Sequence, residues 1–215
     1  MKNIKAIFFD LDGTLINSKI DITASVNDLR RDLKLSDLTE KEVIGNVGRG
    51  TKYLLGKILP KNIEINDQIF NTFIEYYKQN SIKYLNFYKG ALELLNNLDD
   101  YKKVLITNKA YVVTQEIIEK SKLNFDLVYG GDSFDLRKPD PFPLNQAAQE
   151  LNLEKNEIIY FGDSIFDYQA SEAANISCVM ASYGYGNPKE LYSCKNALFV
   201  NTPLELLDII EDLKE

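Results

Sequence analysis

The sequence predicts an α/β protein built on a mainly parallel sheet, with a helical subdomain inserted after the first strand. Three observations carry that expectation. Five short apolar runs rich in strand formers recur at residues 4–9, 104–106, 127–129, 158–161 and 178–180. Amphipathic, helix-length segments separate the later runs, as parallel strands joined by crossover helices require. Between about Ile16 and Tyr88 the alternation breaks, and only helical periodicity remains.

The first run, Ile4-Lys5-Ala6-Ile7-Phe8-Phe9, meets Asp10-Leu11-Asp12-Gly13-Thr14 directly, so a buried strand gives way to a polar loop. Ile22, Val26, Leu29 and Leu33 then recur at i, i+4, i+7 and i+11, the stripe of a helix with one buried face. Thr39 and Glu42 have capping-box spacing, 49–59 is a further amphipathic segment, and Ile69, Phe70, Phe73, Ile74 and Tyr77 make another stripe. Residues 84–88 read as a return linker. Helices at 90–98, 111–121, 141–151 and 165–174 then alternate with the strands, and a last helix is expected over 203–213 with Thr202 as its N-cap.

Composition narrows the chemistry. A chain of 215 residues, 45% hydrophobic and 27% charged, fits one large domain or a core with a smaller insert. Histidine is absent, which removes Ser-His-Asp and Cys-His catalysis, imidazole zinc sites and histidine phosphotransfer. With 25 basic and 32 acidic residues the net charge is −7, and no basic stripe offsets it, so nucleic acid is not expected as a partner. Cys178 and Cys194 lack metal-ligand spacing and read as reduced, packed thiols. The first apolar run is too short for a signal segment, and no stretch approaches the ~18 apolar residues of a membrane span. A cytoplasmic protein with no membrane partner is expected.

The polar clusters follow the strands, and in an open parallel sheet that edge binds ligands. Asp10 and Asp12 are spaced by one residue, and Gly13 permits a turn that brings them to one side. Thr107-Asn108-Lys109 follows the second strand and, taken alone, is also ordinary helix-cap chemistry. In Lys138-Pro139-Asp140-Pro141, Pro139 holds Lys138 out of the helical region, while Pro141 suits a first helical turn behind Asp140 as cap. Asp163 and Asp167 lie four apart at a helix start and can share one face. Two such carboxylates 4 Å apart repel by roughly 4 kcal/mol at an effective dielectric of about 20. A cation must sit among them, and all-oxygen ligands select a hard divalent ion, with Mg²⁺ expected.

In this order the four motifs, from Asp10 to Asp167, resemble those of the haloacid dehalogenase superfamily of phosphohydrolases, and the helical insert stands where that family's type-one cap belongs. Ser18, Asp21-Ile22, Gly45-Asn46-Val47-Gly48-Arg49-Gly50, Thr107-Asn108-Lys109, Gly130-Gly131-Asp132, Lys138-Pro139-Asp140-Pro141 and Tyr183-Gly184-Tyr185 narrow the likeness to its phosphoglycolate phosphatase-like branch. Asn17 departs from the pattern, where an Asp often precedes the Ser. The resemblance implies a Rossmann-like parallel core over 1–15 and 88–215, a helical cap over 16–87, and Mg²⁺-dependent hydrolysis of a small phosphate monoester. It implies Asp10 as the nucleophile that becomes an aspartyl-phosphate, and Asp12 as acid and then base. Thr107, Thr14 and Asn108 would bind the phosphoryl end while Lys138 neutralises charge. The implied metal set is the Asp10 side chain, the Asp12 main-chain carbonyl and Asp163, with Asp167 completing or orienting it.

Substrate choice falls to the cap. Arg49, flanked by Gly48 and Gly50, is the candidate for a substrate carboxylate, with Lys52 second, and 2-phosphoglycolate is the expected ester. A nucleotide, a sugar phosphate or pyrophosphate would draw on the same chemistry. A halide leaving group needs no proton, so Asp12 argues against a dehalogenase; the lack of a cap histidine argues against a phosphosugar mutase. A phospho-accepting receiver module and an inactive binding protein are the readings outside catalysis, opposed by the insert and the intact motifs. The chain is expected to be a monomer or homodimer.

Overall fold

Side-chain alternation in β1 (Ala6–Phe9) places Ala6 and Phe8 on one face of the sheet and Ile7 and Phe9 on the other, and all four are fully buried because helices cover both faces. In the computed structural model, which describes residues 3–213, β1 pairs in parallel with β2 (Lys102–Ile106) on one side and β4 (Ile158–Gly162) on the other. With β3 (Leu127–Tyr129), β5 (Ser177–Ala181) and β6 (Leu198–Val200) the sheet runs β3-β2-β1-β4-β5-β6, every neighbour parallel. The chain reverses its direction of travel across the sheet between β1 and β4, so their carboxyl ends form the crevice where such sheets bind ligands. Residues 1, 2, 214 and 215 of the expected core lie outside the described residues.

Four helices fill the interval between β1 and β2 before the core resumes: α1 (Lys19–Asp32), α2 (Glu40–Ile44), α3 (Thr51–Ile58) and α4 (Asp67–Lys83). The predicted stripes are their buried faces: Ile22, Val26 and Leu29 on α1, Phe73, Ile74 and Tyr77 on α4. The Thr39/Glu42 capping box opens α2 as its spacing requires, with Thr39 N–H donating to Glu42 at 2.8 Å. Buried polar groups on α1 tie the loops down, since Asn27 both donates to and accepts from the Leu38 backbone and the Arg30 guanidinium donates to the carbonyls of Ser36 and Ile58. The two linkers run side by side, with Ile16 bridging Phe87 and Tyr88 N–H donating to Leu15 O at 3.0 Å.

The remaining helices flank the sheet: α5 (Ala91–Asn96), α6 (Tyr111–Ser121), α7 (Phe142–Glu150), α8 (Ile165–Ala173), α9 (Pro188–Leu191) and α10 (Glu205–Asp212). Leu94, Val113, Ile117, Leu206 and Ile210 from α5, α6 and α10 pack on the Ile7/Phe9 face; Leu144, Ala147 and Ala170 from α7 and α8 pack on the Ala6/Phe8 face. The sixth strand and α9 go beyond the expected elements: β6 is three residues long with Leu198 and Phe199 exposed, so it carries little apolar pattern. Thr202 is not the N-cap of α10. Pro203 and Leu204 form a turn first, the helix starts at Glu205 with Leu204 as N-cap, and Thr202 instead bonds the Glu205 side chain at 3.2 Å. Asp140 does accept the Phe142 N–H at 2.9 Å, one step before the N-cap Pro141. Among the described residues, no helix is long and apolar enough to cross a membrane.

Phe161 on β4 is fully buried and stacks edge-on against Phe9 with ring centroids 6.2 Å apart. Truncation of this side chain is expected to lower the unfolding free energy by about 3–5 kcal/mol. Urea denaturation of Phe161→Ala, with an unchanged slope and a lowered midpoint, checks it.

Candidate active site

Lys138 comes from the segment between β3 and α7, and its ammonium is buried at the carboxyl ends of β1 and β4. Its three protons meet three acceptors: Asp10 Oδ1 at 2.8 Å, Asp167 Oδ1 at 2.7 Å and the Tyr160 hydroxyl at 2.7 Å. An ammonium has no other donors, so every one is satisfied. Tyr160 OH also lies 2.9 Å from Asp167 Oδ1.

Asp167 has no capacity left. Beyond those two contacts on Oδ1, its Oδ2 accepts from Ser164 N–H at 2.9 Å, Ser164 Oγ at 2.6 Å and Asp163 N–H at 3.2 Å. The Ser164/Asp167 pair is a capping box that starts α8. Burial would push this carboxyl up, but Lys138 and the bonds from Lys138 and Ser164 hold it below the ordinary carboxylate range.

Asp163 stands in the opposite situation. Among the described residues no lysine or arginine forms an ion pair with it, and its contacts are Tyr185 N–H to Oδ2 at 2.5 Å and a long one from Thr14 Oγ1 to Oδ1 at 3.4 Å. Burial, then the Asp167 and Asp10 charges, push its carboxyl well above the usual range. Asp10 is raised to about 7, by burial first, with Lys138 pulling the other way. Gly13, at φ +90°, brings backbone so close to Asp163 that a Cβ there would lie 2.2 Å from its Oδ2.

Asp10, Asp163 and Asp167 each offer a carboxylate oxygen, and these oxygens lie within 4.8 Å of one another. With all three ionised, these carboxylates against the single Lys138 charge would leave an excess of two negative charges in a buried pocket, and that repulsion adds to burial in holding the Asp10 and Asp163 carboxyls up. That excess, an all-oxygen donor set and the unpaired Asp163 fit a hard divalent cation. The saturated Asp167 fits as a group that orients Asp163 and Lys138 rather than one with an oxygen to spare.

A second charged cluster lies beside the first. Lys109, which follows Thr107-Asn108 after β2, donates to Asp12 Oδ1 at 2.9 Å and to the Tyr77 hydroxyl at 2.5 Å, with Asp21 Oδ2 at 4.0 Å. Burial raises Asp21 to about 7 against the pull of Lys109.

Asp10, Asp12, Thr107, Asn108, Lys138, Asp163, Gly48, Arg49 and Gly50 all line one cavity of about 310 Å³ between the sheet edge and the helical insert. Thr14 and Asp167 are fully buried outside its wall, and Lys52 is exposed and does not line it. Both amide protons of Asn108 are engaged, one with Gly48 O at 2.7 Å and one with Lys138 O at 2.8 Å, so this side chain ties the insert loop to the core. The Arg49 guanidinium lies 5.1 Å from the Tyr53 ring and 5.2 Å from that of Phe166, with no carboxylate partner among the described residues. Sequence reasoning missed the parts played by Lys109, Tyr77, Tyr160 and Phe166. Lys109 stood inside a quoted motif, but the aromatic residues read only as packing.

Residues 7–181 match the family described as haloacid dehalogenase-like hydrolase. A phosphoglycolate phosphatase of Cereibacter sphaeroides is 32% identical over 83% of this chain and 85% of its own length; one of Chromobacterium violaceum is 29% identical over 99% of each. The crystal structure of a predicted phosphoglycolate phosphatase from Haemophilus somnus is similar at a TM-score of 0.85 and 27% identity, over 98% of this chain and 99% of that one. With that match spanning most of the core and the whole insert, the chain belongs to the haloacid dehalogenase-like hydrolase family.

Proposed function

We propose that this protein is a Mg²⁺-dependent phosphatase that hydrolyses a small acidic phosphate monoester, 2-phosphoglycolate, through an aspartyl-phosphate on Asp10. The observation that supports it most is the convergence of Asp10, Asp12, Thr107, Lys138 and Asp163 on one cavity roofed by the insert. Relatives named phosphoglycolate phosphatase along nearly the full chain support the same substrate class. Residues 1–15 and 88–215 form the catalytic core in this reading, and 16–87 the cap.

An Asp10 carboxylate oxygen attacks phosphorus while the bond from phosphorus to the leaving oxygen breaks, and Asp12 gives that oxygen a proton. Water then attacks the phosphorus of the aspartyl-phosphate, Asp12 takes the proton, and Asp10 and inorganic phosphate separate. Lys138 holds Asp10 in place and offsets charge on the attacking side; Thr107 lies at the cavity wall to meet the phosphoryl oxygens. Mg²⁺ held by Asp10, Asp163 and the Asp12 carbonyl would supply the charge neutralisation that lets one anion attack another. Asp167 keeps Lys138 and the Asp163 loop in register, and Thr14 faces Asp163.

Substrate choice comes from the cap. Arg49 is held by two rings yet has no anionic partner, which suits a ligand carboxylate a short distance from the phosphoryl group. Asn108 fixes the Gly48 carbonyl and thereby the loop that presents Arg49.

Phosphate release should therefore be fastest from 2-phosphoglycolate in a panel of monoesters, and excess chelator should abolish it. Asp10→Asn should lower kcat at least about a thousandfold, as loss of a nucleophile does. Arg49→Ala should raise KM for 2-phosphoglycolate roughly 10- to 100-fold, the worth of a charge-assisted hydrogen bond. It should leave KM unchanged for a monoester whose alcohol portion carries no charge; equal effects on both would remove Arg49 from the site.

A further inference from the structure

Asp12 lies at the cavity, and a proton donor there must aim one oxygen at the leaving group. Among the described residues, Lys109 is the group that hydrogen-bonds its carboxylate, at 2.9 Å to Oδ1. The Lys109 side chain has no exposed surface, and its ammonium also sits 4.1 Å from the Tyr77 ring centroid. Of its three polar partners, Asp12 belongs to the core loop, while the Tyr77 hydroxyl at 2.5 Å and Asp21 Oδ2 at 4.0 Å come from α4 and α1 of the insert. The lysine bonded to Asp12 is thus itself held by two helices of the insert.

We propose that Lys109 is a positioning residue for the proton-transfer step, holding Oδ1 of Asp12 so that Oδ2 faces the leaving oxygen, with Tyr77 and Asp21 of the closed insert holding Lys109. This rests on the phosphatase reading above and assigns to the insert a part in acid catalysis as well as in substrate choice. Separation of the insert from the core would remove two of the ammonium's three partners and release Asp12 from its single orientation. Proton delivery is then tied to closure.

Two substrates of similar size, a phosphate monoester and an acyl phosphate, separate this role from a structural one. The leaving alkoxide of 2-phosphoglycolate needs a proton, whereas acetate leaves acetyl phosphate without one. In the full-length chain, kcat/KM is measured for both, because that quantity covers steps up to departure of the leaving group. Lys109→Met is expected to lower the ratio of 2-phosphoglycolate to acetyl phosphate by about 100-fold, the lower end of what a placed general acid contributes. Tyr77→Phe should shift it in the same direction by less. Both substrates are assayed on one preparation, so any loss of folded protein cancels from the ratio. An unchanged ratio in Lys109→Met overturns the assignment, and should that variant not accumulate, the ratio in Tyr77→Phe decides. A wild-type protein inert toward both substrates would instead overturn the phosphatase reading; turnover of both with unmoved ratios would sink only the role of Lys109.

Discussion

The Lys138 ammonium spends its three protons on Asp10, Asp167 and Tyr160, and among the described residues no lysine or arginine forms an ion pair with Asp163. Burying a carboxylate without a counter-charge is costly, by several kcal/mol after relaxation. The excess of negative charge is therefore the constraint around which the sheet edge is arranged. Strand order brings the carboxyl ends of β1 and β4 together, Gly13 lets the first loop close over Asp163, and the backbone of Tyr185 donates to it. Each device brings oxygen donors closer instead of separating them. Such an arrangement makes sense where a cation completes it.

The two lysines divide the labour. The Lys138 ammonium bonds Asp10, Tyr160 and Asp167, none of them from the insert. Lys109 draws on the insert for two of its three partners. Asn108, between Thr107 and Lys109 in sequence, joins Gly48 of the insert to Lys138 of the core through its side-chain amide. The loop after β2 is thus the place where the position of the helical insert is felt at the carboxylates.

Much of this was legible in the residues. The runs that became β1, β2, β4 and β5 are apolar on both faces, so local composition sufficed, and Asp10, Asp12, Thr107, Lys138 and Asp163 do meet at one edge because each follows a strand of the same sheet. What escaped was set by tertiary contact. Asp12 and Lys109 are 97 residues apart, and Lys109 and Tyr77 are 32 apart, so nothing local distinguishes Tyr77 from its neighbours in a core stripe. Thr14 and Asp167 stand behind the cavity wall for a similar reason: spacing placed them at the edge but could not say which way their oxygens turn. The strand β6 lay hidden because two of its three side chains face solvent.

The charge imbalance around Asp10 and Asp163 is tested most directly by thermal unfolding with and without Mg²⁺, in the wild type and in Asp163→Asn. A cation that binds only the folded chain adds about 2.7 kcal/mol at a hundredfold excess over its dissociation constant. For a chain of this size that is roughly a 5–11 °C rise in Tm. The wild type should show it, while Asp163→Asn, relieved of the unpaired charge, should be at least as stable as the wild type without metal and gain little from Mg²⁺. A wild-type Tm indifferent to Mg²⁺, Mn²⁺ and Ca²⁺ would contradict the central claim.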